Sequence, residues 1–201
     1  DQHQLMHFFR NVNNALPFEG NKTEVYTDGL SMLQSLMKAI SKAKHHIHLE
    51  FYIFEDDPVG RLLRDLLIDK AREGVEIRLL YDDVGCWKVP HLFYDEMRGA
   101  GIEARGFLKV CFPVFTSKVN YRNHRKIVVI DGKVAFTGGM NIALRYMKGF
   151  QWGIWRDTHI KIEGKAVYGL QTAFLTDWYV VDRTLITSSR YFPEMDSYGN
   201  A

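Results

Sequence analysis

The segment from Asn123 to Asn141 holds the residues whose types and spacing point most clearly to chemistry. It begins Asn-His-Arg-Lys-Ile-Val-Val-Ile-Asp-Gly and ends Gly-Gly-Met-Asn. Positions two apart share one face of an extended strand, so His124 and Lys126 are predicted to project together, with the apolar run behind them in the core. A neutral imidazole can attack phosphorus, a lysine neutralises phosphoryl oxygens, and an asparagine amide donates to them. The spacing therefore predicts a phosphoryl-transfer site that needs no metal.

Two glycines and one hairpin complete this segment. Gly138 and Gly139 lack a Cβ, so the backbone there can approach a bound phosphate closely and turn sharply to present Asn141. The dipeptide Asp131-Gly132 lies between two apolar runs and predicts a tight hairpin over 128–136.

The rest of the chain alternates between helical and extended patterns. Predicted helices run from Asp28 as N-cap to about Ala43, from Pro58 to Glu73, from Pro90 to Gly99 and from Gly164 to Tyr179; predicted strands cover 47–54, 75–81, 102–107 and 158–162. This order predicts an α/β fold, a layered α/β/α domain with a mixed, mainly parallel sheet. We divide the chain into an N-terminal segment (1–23), a catalytic domain (24–181) and a linker (182–201).

Composition narrows the class of protein. The 201 residues are 46% hydrophobic, and 26 basic residues against 24 acidic ones leave a net charge of +2, too even to indicate a nucleic-acid binder. No apolar run reaches the roughly 18 residues of a spanning helix. The two cysteines, Cys86 and Cys111, do not form a zinc-binding pattern. The chain starts without a methionine, and we interpret it as part of a longer protein with a soluble domain.

Two apolar stretches have more than one interpretation. Residues 5–16 have a partly helical spacing of apolar groups, which favours a core helix over an interfacial one. Residues 108–120 combine apolar groups with Lys109 and Lys118, and either a lid or lipid-facing loop or a buried connection would account for them.

The segment resembles the phospholipase D superfamily. Six positions fit its H-x-K-x4-D-x6-G-[GS]-x-N signature, namely His124, Lys126, Asp131, Gly138, Gly139 and Asn141. The wider sequence is similar to the first catalytic half of bacterial cardiolipin synthases in the stretches 46–54, 74–78, 122–126 and 155–157. The resemblance runs from about Glu24 to Trp178.

This resemblance implies a two-step transfer without metal or organic cofactor. His124 would attack the phosphodiester of phosphatidylglycerol, expel glycerol, and pass the phosphatidyl group from the resulting phosphohistidine to a second phosphatidylglycerol. Lys126 and Asn141 would bind the phosphate on the Gly138-Gly139 turn. In the same catalytic set, Asp157 would lie behind His124 and fix its tautomer, while Asp131 would brace the hairpin. The full-length protein would act at the bacterial cell membrane.

One departure from the family pattern affects the interpretation. Family enzymes use two such motifs, and this chain has one, because His159-x-Lys161 is not followed by a glycine-rich turn with asparagine. We expect His159 and Lys161 to point outward from a strand. The second half would come from another part of the same protein or from a homodimer partner. The alternatives are a single-motif dimeric phospholipase D or nuclease, and a module that binds phospholipid without turnover; nucleic acid is not an expected partner.

Other polar residues have simpler interpretations. His45, His46 and His48 lack the spacing of a metal site and are predicted to be solvated or hydrogen-bonded. Glu50 could line the pocket, but an ordinary sheet-edge carboxylate is favoured, and we leave it out of the catalytic set.

Overall fold

The computed structural model describes residues 2–13, 17–107, 123–149, 153, 155–195 and 198. Within this part of the chain, one seven-stranded sheet lies between two layers of helices. The helices are α1 (Gln2–Asn13), α2 (Gly29–Ser41), α3 (Pro58–Arg72), α4 (His91–Gly99), α5 (Leu144–Lys148) and α6 (Val167–Asp182). The strands are β1 (Lys22–Tyr26), β2 (His46–Phe51), β3 (Glu76–Asp82), β4 (Glu103–Phe107), β5 (Ile127–Ile130), β6 (Val134–Gly138) and β7 (His159–Glu163).

Side-chain caps set where the first two long helices of the domain begin. The Asp28 carboxylate accepts a 2.8 Å hydrogen bond from the Ser31 N–H and caps α2. Asp57 accepts bonds of 2.9 Å from the N–H groups of Val59 and Gly60, and Pro58 occupies the first position of α3, where no N–H partner is needed. Both predicted helix starts are therefore confirmed.

The strand order is β1-β7-β6-β5-β2-β3-β4. Parallel pairing is confined to β2, β3 and β4, and the four other neighbouring pairs are antiparallel. The predicted mixed α/β sheet is thus confirmed, although parallel pairs are fewer than a mainly parallel sheet would have. The antiparallel pairs account for this, because β5 and β6 form a short hairpin and β7 returns beside β6 after a longer connection that contains α5.

The two faces of the sheet carry separate cores. On the first face, Ile47, Leu49 and Phe51 of β2 pack into a large cluster with α2, α3 and α4. On the second face, α6 places Phe174 and Trp178 over a smaller cluster. Strand alternation sends the remaining side chains of β2, which are polar, to the α6 face.

The buried histidines of β2 are held by hydrogen bonds. Gln171 of α6 lies between them, with its Oε1 3.1 Å from His46 Nε2 and its Nε2 2.8 Å from His48 Nδ1. The described residues contain no group of three or more candidate ligands suited to a metal ion. The hydrogen-bonded interpretation of these histidines is confirmed.

The predicted hairpin turn is confirmed and has a second function. Asp131 and Gly132 have positive φ angles of 53° and 66°, as a tight antiparallel turn requires. The Asp131 carboxylate accepts hydrogen bonds from the N–H groups of Lys44, His45 and His46 at 2.9, 2.8 and 3.0 Å. One side chain therefore joins the hairpin to the start of β2.

Two elements of the structure, α1 and β1, differ from the sequence expectations. Helix α1 forms, but Leu5, Phe8 and Val12 are exposed; the core position expected for it was wrong, since helices of the domain already cover both faces of the sheet. Strand β1 was not predicted.

The stretch 108–120 lies outside the described residues, and the boundaries at 23 and 182 stay predictions. In the described part of the chain no helix is both long and apolar enough to cross a membrane.

Candidate active site

The candidate residues gather at one edge of the sheet. Strands β2, β3 and β6 end at this edge, while β5 and β7 begin there, as their registers require. His124 and Lys126 lie just before β5, Asn141 follows β6, and Asp157 lies just before β7. Alternating strand direction therefore brings together groups that are up to 33 residues apart in the sequence.

His124 and Lys126 are in direct contact. Lys126 Nζ lies 3.0 Å from His124 Nδ1 and donates a 2.6 Å hydrogen bond to the His124 carbonyl oxygen. His124 is exposed, whereas Lys126 is only 2% exposed. Tyr52 covers both residues: its ring centroid is 4.6 Å from that of His124 and 5.5 Å from Lys126 Nζ. The predicted convergence of imidazole and ammonium is present.

Burial shifts both groups towards their neutral forms. Partial burial and the Lys126 charge lower the pKa of His124, and Asp82 opposes the shift. Burial lowers the pKa of Lys126 to about 8, against the opposing charge of Asp157. At neutral pH the imidazole is therefore uncharged, as a nucleophile must be, while the lysine is still mostly cationic.

Asp157 lies beside the glycine turn. Its Oδ1 accepts a 2.7 Å hydrogen bond from the Thr158 N–H, and its carboxylate packs against Gly139 so closely that a Cβ there would overlap it. Its charge acts on Lys126 and on His159. The carboxylate whose charge acts on His124 belongs to Asp82, so the role of Asp157 behind His124 stays a prediction.

Asn141 is held inside the protein next to the end of β2. Its Oδ1 accepts a 3.0 Å hydrogen bond from the Ile53 N–H, and its Nδ2 donates a 2.7 Å bond to the Tyr146 hydroxyl. It is 2% exposed. An amide nitrogen carries two hydrogens, so one donor remains for a phosphoryl oxygen.

His159 does not point outward, and that expectation was wrong. It is 1% exposed, pairs with Gly138 in the β6–β7 register, and its Nδ1 has no hydrogen-bond partner. Burial lowers the pKa of His159 to about 4. Lys161 is half-buried and forms a 2.5 Å ion pair with Glu163. Inward placement follows from the shape of Gly138, because the missing side chain leaves room for the imidazole.

The motif aspartate lies away from this edge, since the Asp131 carboxylate is engaged at the start of β2. Sequence reasoning did not select Tyr52, Asp82 or Asn123, which surround His124 in the structure. Asp82 is buried and accepts hydrogen bonds from the N–H groups of Val84 and Gly85 at 3.0 and 2.8 Å. Its position at the end of an apolar strand was an available signal, because polar side chains at strand ends of an open sheet often line a site.

The chain is similar to known proteins over most of its length. Residues 36–178 match a family described as "Cardiolipin synthase, PLD-like domain". The cardiolipin synthase of Alkalihalophilus pseudofirmus is 45% identical over 184 residues, covering 90% of this chain and 36% of that protein. The major cardiolipin synthase ClsA of Bacillus subtilis is 41% identical over 207 residues, covering 100% of this chain and 42% of that protein. This chain thus spans about two fifths of these relatives.

The fold is similar to that of a solved phospholipase D family member, Nuc from Salmonella typhimurium. The TM-score is 0.60 at 17% identity, and the match covers 80% of this chain and 96% of that chain. At this identity the likeness concerns the fold alone.

Proposed function

The chain belongs to the cardiolipin synthase family of phospholipase D-like domains, and on that premise we propose that it supplies one half of a phosphatidyltransfer site with His124 as the nucleophile. The observation that carries the proposal is the contact between an uncharged, exposed imidazole and a buried ammonium at the edge of the sheet. The nucleophile and the phosphate-binding cation are then adjacent before substrate arrives, which lowers the entropic cost of reaching the transition state.

In the first step, a ring nitrogen of His124 attacks the phosphorus of phosphatidylglycerol. The bond between phosphorus and the glycerol oxygen breaks, and the leaving glycerol takes a proton from an acid supplied by the second half. In the second step, the hydroxyl of another phosphatidylglycerol attacks the phosphohistidine, loses its proton to the same group, and releases His124. The products are cardiolipin and glycerol, and no electron transfer is involved.

Lys126 stabilises the negative charge that develops on the phosphoryl oxygens. Its Nζ now rests on a ring nitrogen and a carbonyl oxygen of His124, and an anionic phosphoryl oxygen is a stronger acceptor than either. The remaining amide hydrogen of Asn141 serves the same oxygens. The space beside Gly138 and Gly139 is filled by His159 and Asp157, so these glycines shape the turn that presents Asn141. Asp157 offsets the burial of Lys126 and so keeps the ammonium charged.

The missing acid requires a second half-site. We propose that another part of the same protein provides it, because the curated relatives are more than twice as long as this chain. The substrate would be reached at the surface of the bacterial cell membrane. A homodimer of single-motif chains is the second candidate. Nuc has a similar fold and is almost entirely covered by this chain, so it is about as long as one such half.

The test uses the full-length protein with labelled phosphatidylglycerol in detergent and EDTA. We expect labelled cardiolipin and free glycerol, label attached to the protein after rapid quenching, and loss of all three in His124→Ala. His91→Ala, at an exposed histidine of α4, is the matched control and should match wild type. Turnover of His124→Ala at the wild-type rate would overturn the assignment of His124 as the nucleophile.

The same assay with this chain alone distinguishes the two sources of the second half. Cardiolipin formed by the isolated chain would mean that two copies complete one site. Turnover that appears only when the remaining part of the protein is added would support the half-site. Phospholipid binding without turnover under both conditions would leave the non-catalytic module as the better account.

A further inference from the structure

Two buried carboxyl groups meet beneath the segment that carries His124. Glu50 lies on β2 and Asp177 on α6, with exposures of 1% and 7%, and their side chains are within hydrogen-bonding reach of each other. His124 and Lys126 lie on one side of this segment. The alternate residues Asn123 and Arg125 face the carboxyl groups on the other side.

Both neighbours of His124 are bound to this carboxyl pair. Asn123 Nδ2 donates to Glu50 and, at 3.5 Å, to Asp177, while the Arg125 guanidinium forms an ion pair with Asp177. The Arg125 N–H also donates to Asn123 Oδ1 at 3.0 Å. His124 therefore lies between two residues whose side chains are held by hydrogen bonds and an ion pair to one buried carboxyl pair.

A third carboxylate completes the attachment. Asp82, at the end of β3, accepts a 3.3 Å hydrogen bond from the Asn123 N–H. The segment is thus tied to β2, β3 and α6 just before β5 begins. These contacts are specific to residues 123 and 125, and none of them involves His124 itself.

We propose that Glu50 and Asp177 are positioning residues that hold His124 in its attacking geometry through Asn123 and Arg125. This inference rests on the proposed function, because it concerns the same nucleophile. Glu50 thus has a role, although its position on a strand would by itself indicate an ordinary sheet residue. The structural basis of the proposal is that both residues flanking His124 are bound to one buried carboxyl pair.

The protonation of Glu50 fits this role. Burial and the neighbouring Asp177 raise the pKa of Glu50 to about 8, with Asn123 and Arg125 opposing the shift. Glu50 is therefore mostly neutral at pH 7. An ionised Glu50 would leave its buried Oε2 without a partner. A protonated Oε2 can instead donate to Asp177.

The test compares Glu50→Ala, Glu50→Gln and the exposed control Glu24→Ala in the full-length protein, with phosphatidylglycerol as substrate. We expect Glu50→Ala to lower kcat by at least about 30-fold with KM within about threefold, as a misplaced reacting group does. Glu50→Gln keeps the shape and a donor towards Asp177, so its kcat should stay within about threefold of wild type. Melting temperatures measured in parallel show the folded fraction of each variant.

Arg125→Ala supplies a second readout if Glu50→Ala does not fold, because the Arg125 side chain is 56% exposed. We expect about a tenfold lower kcat at unchanged KM. A folded Glu50→Ala with wild-type kcat, a Glu50→Gln as inactive as Glu50→Ala, or an Arg125→Ala effect confined to KM would each overturn the inference. An inactive wild-type protein would overturn the proposed function instead.

Discussion

Asp157 and Gly139 fit together so closely that their contact determines which residue the turn can hold. The nearest atoms to a Cβ built at residue 139 are three atoms of the Asp157 carboxyl group, all within overlap distance. A glycine is therefore required at position 139 by the Asp157 side chain, in addition to any approach of substrate. Asp157 is in turn the carboxylate whose charge opposes the lowered pKa of Lys126.

The first prediction concerns this contact. Gly139→Ala should displace the Asp157 carboxylate from the turn and lower kcat/KM for phosphatidylglycerol by at least about tenfold, since a small misplacement at a reacting site is costly. Steady-state kinetics of the full-length protein measure the effect. Gly99→Ala is the control, because no atom lies within 4 Å of its added Cβ. Equal activity of the two variants would contradict the role of this packing.

The second prediction concerns pH and Lys126. The pKa of Lys126 is lowered to about 8, so the ammonium charge is present below that pH and is lost as pH rises through it. We therefore expect KM for phosphatidylglycerol to rise above pH 8. Lys126→Arg keeps the charge at all accessible pH values and should remove this rise, although kcat will fall because the guanidinium differs in shape.

Glu50 also titrates near pH 8, and Glu50→Gln separates the two groups. If the alkaline rise in KM persists in Lys126→Arg and disappears in Glu50→Gln, Glu50 rather than the lysine causes it. The measurement is a pH profile of kcat and KM for the three proteins between pH 6.5 and about 9.5.

The third prediction separates stability from catalysis in the signature motif. Asp131→Ala removes three hydrogen bonds from backbone N–H groups at the start of β2. We expect the free energy of unfolding to fall by about 3 kcal/mol, since each bond to a charged acceptor contributes about 1 kcal/mol or more. Urea denaturation measures this change. Loss of kcat per folded molecule without loss of stability would instead indicate a direct catalytic role.

The fourth prediction concerns stability in acid. Burial lowers the pKa of both His46 and His159 to about 4. Between this value and the unfolded value near 6.5 the unfolded chain binds protons that the folded chain excludes, so stability falls as pH decreases. Each histidine should reduce the free energy of unfolding by about 2 kcal/mol between pH 7 and pH 5.

Urea midpoints at the two pH values test this effect. His159→Gln should show a smaller difference between pH 7 and pH 5 than wild type, whereas His91→Gln, at an exposed position, should show the same difference. An unchanged pH dependence in His159→Gln would mean that this imidazole does not titrate as its burial requires.

The sequence by itself determined most helices and strands, the hairpin and the contact between His124 and Lys126; the short helix α5 was not predicted. These are local properties: a cap such as Asp28 acts within three residues, apolar spacing follows the period of one element, and side chains two apart on a strand always share a face. The Asp131-Gly132 turn could be predicted for the same reason. The family resemblance added the phosphate chemistry because its signature also lies within 18 consecutive residues.

Only the tertiary structure decided which distant groups surround the nucleophile. Asp177 follows His124 by 53 residues and Glu50 precedes it by 74, and neither separation has a period that local sequence could reveal. Their meeting depends on the register of β2 against β5 and on the packing of α6 over that face. The burial of His159 has the same origin, because the space it occupies exists only where β7 pairs with the glycine at the end of β6. Long-range packing sets burial, and burial sets the pKa values on which the chemistry depends.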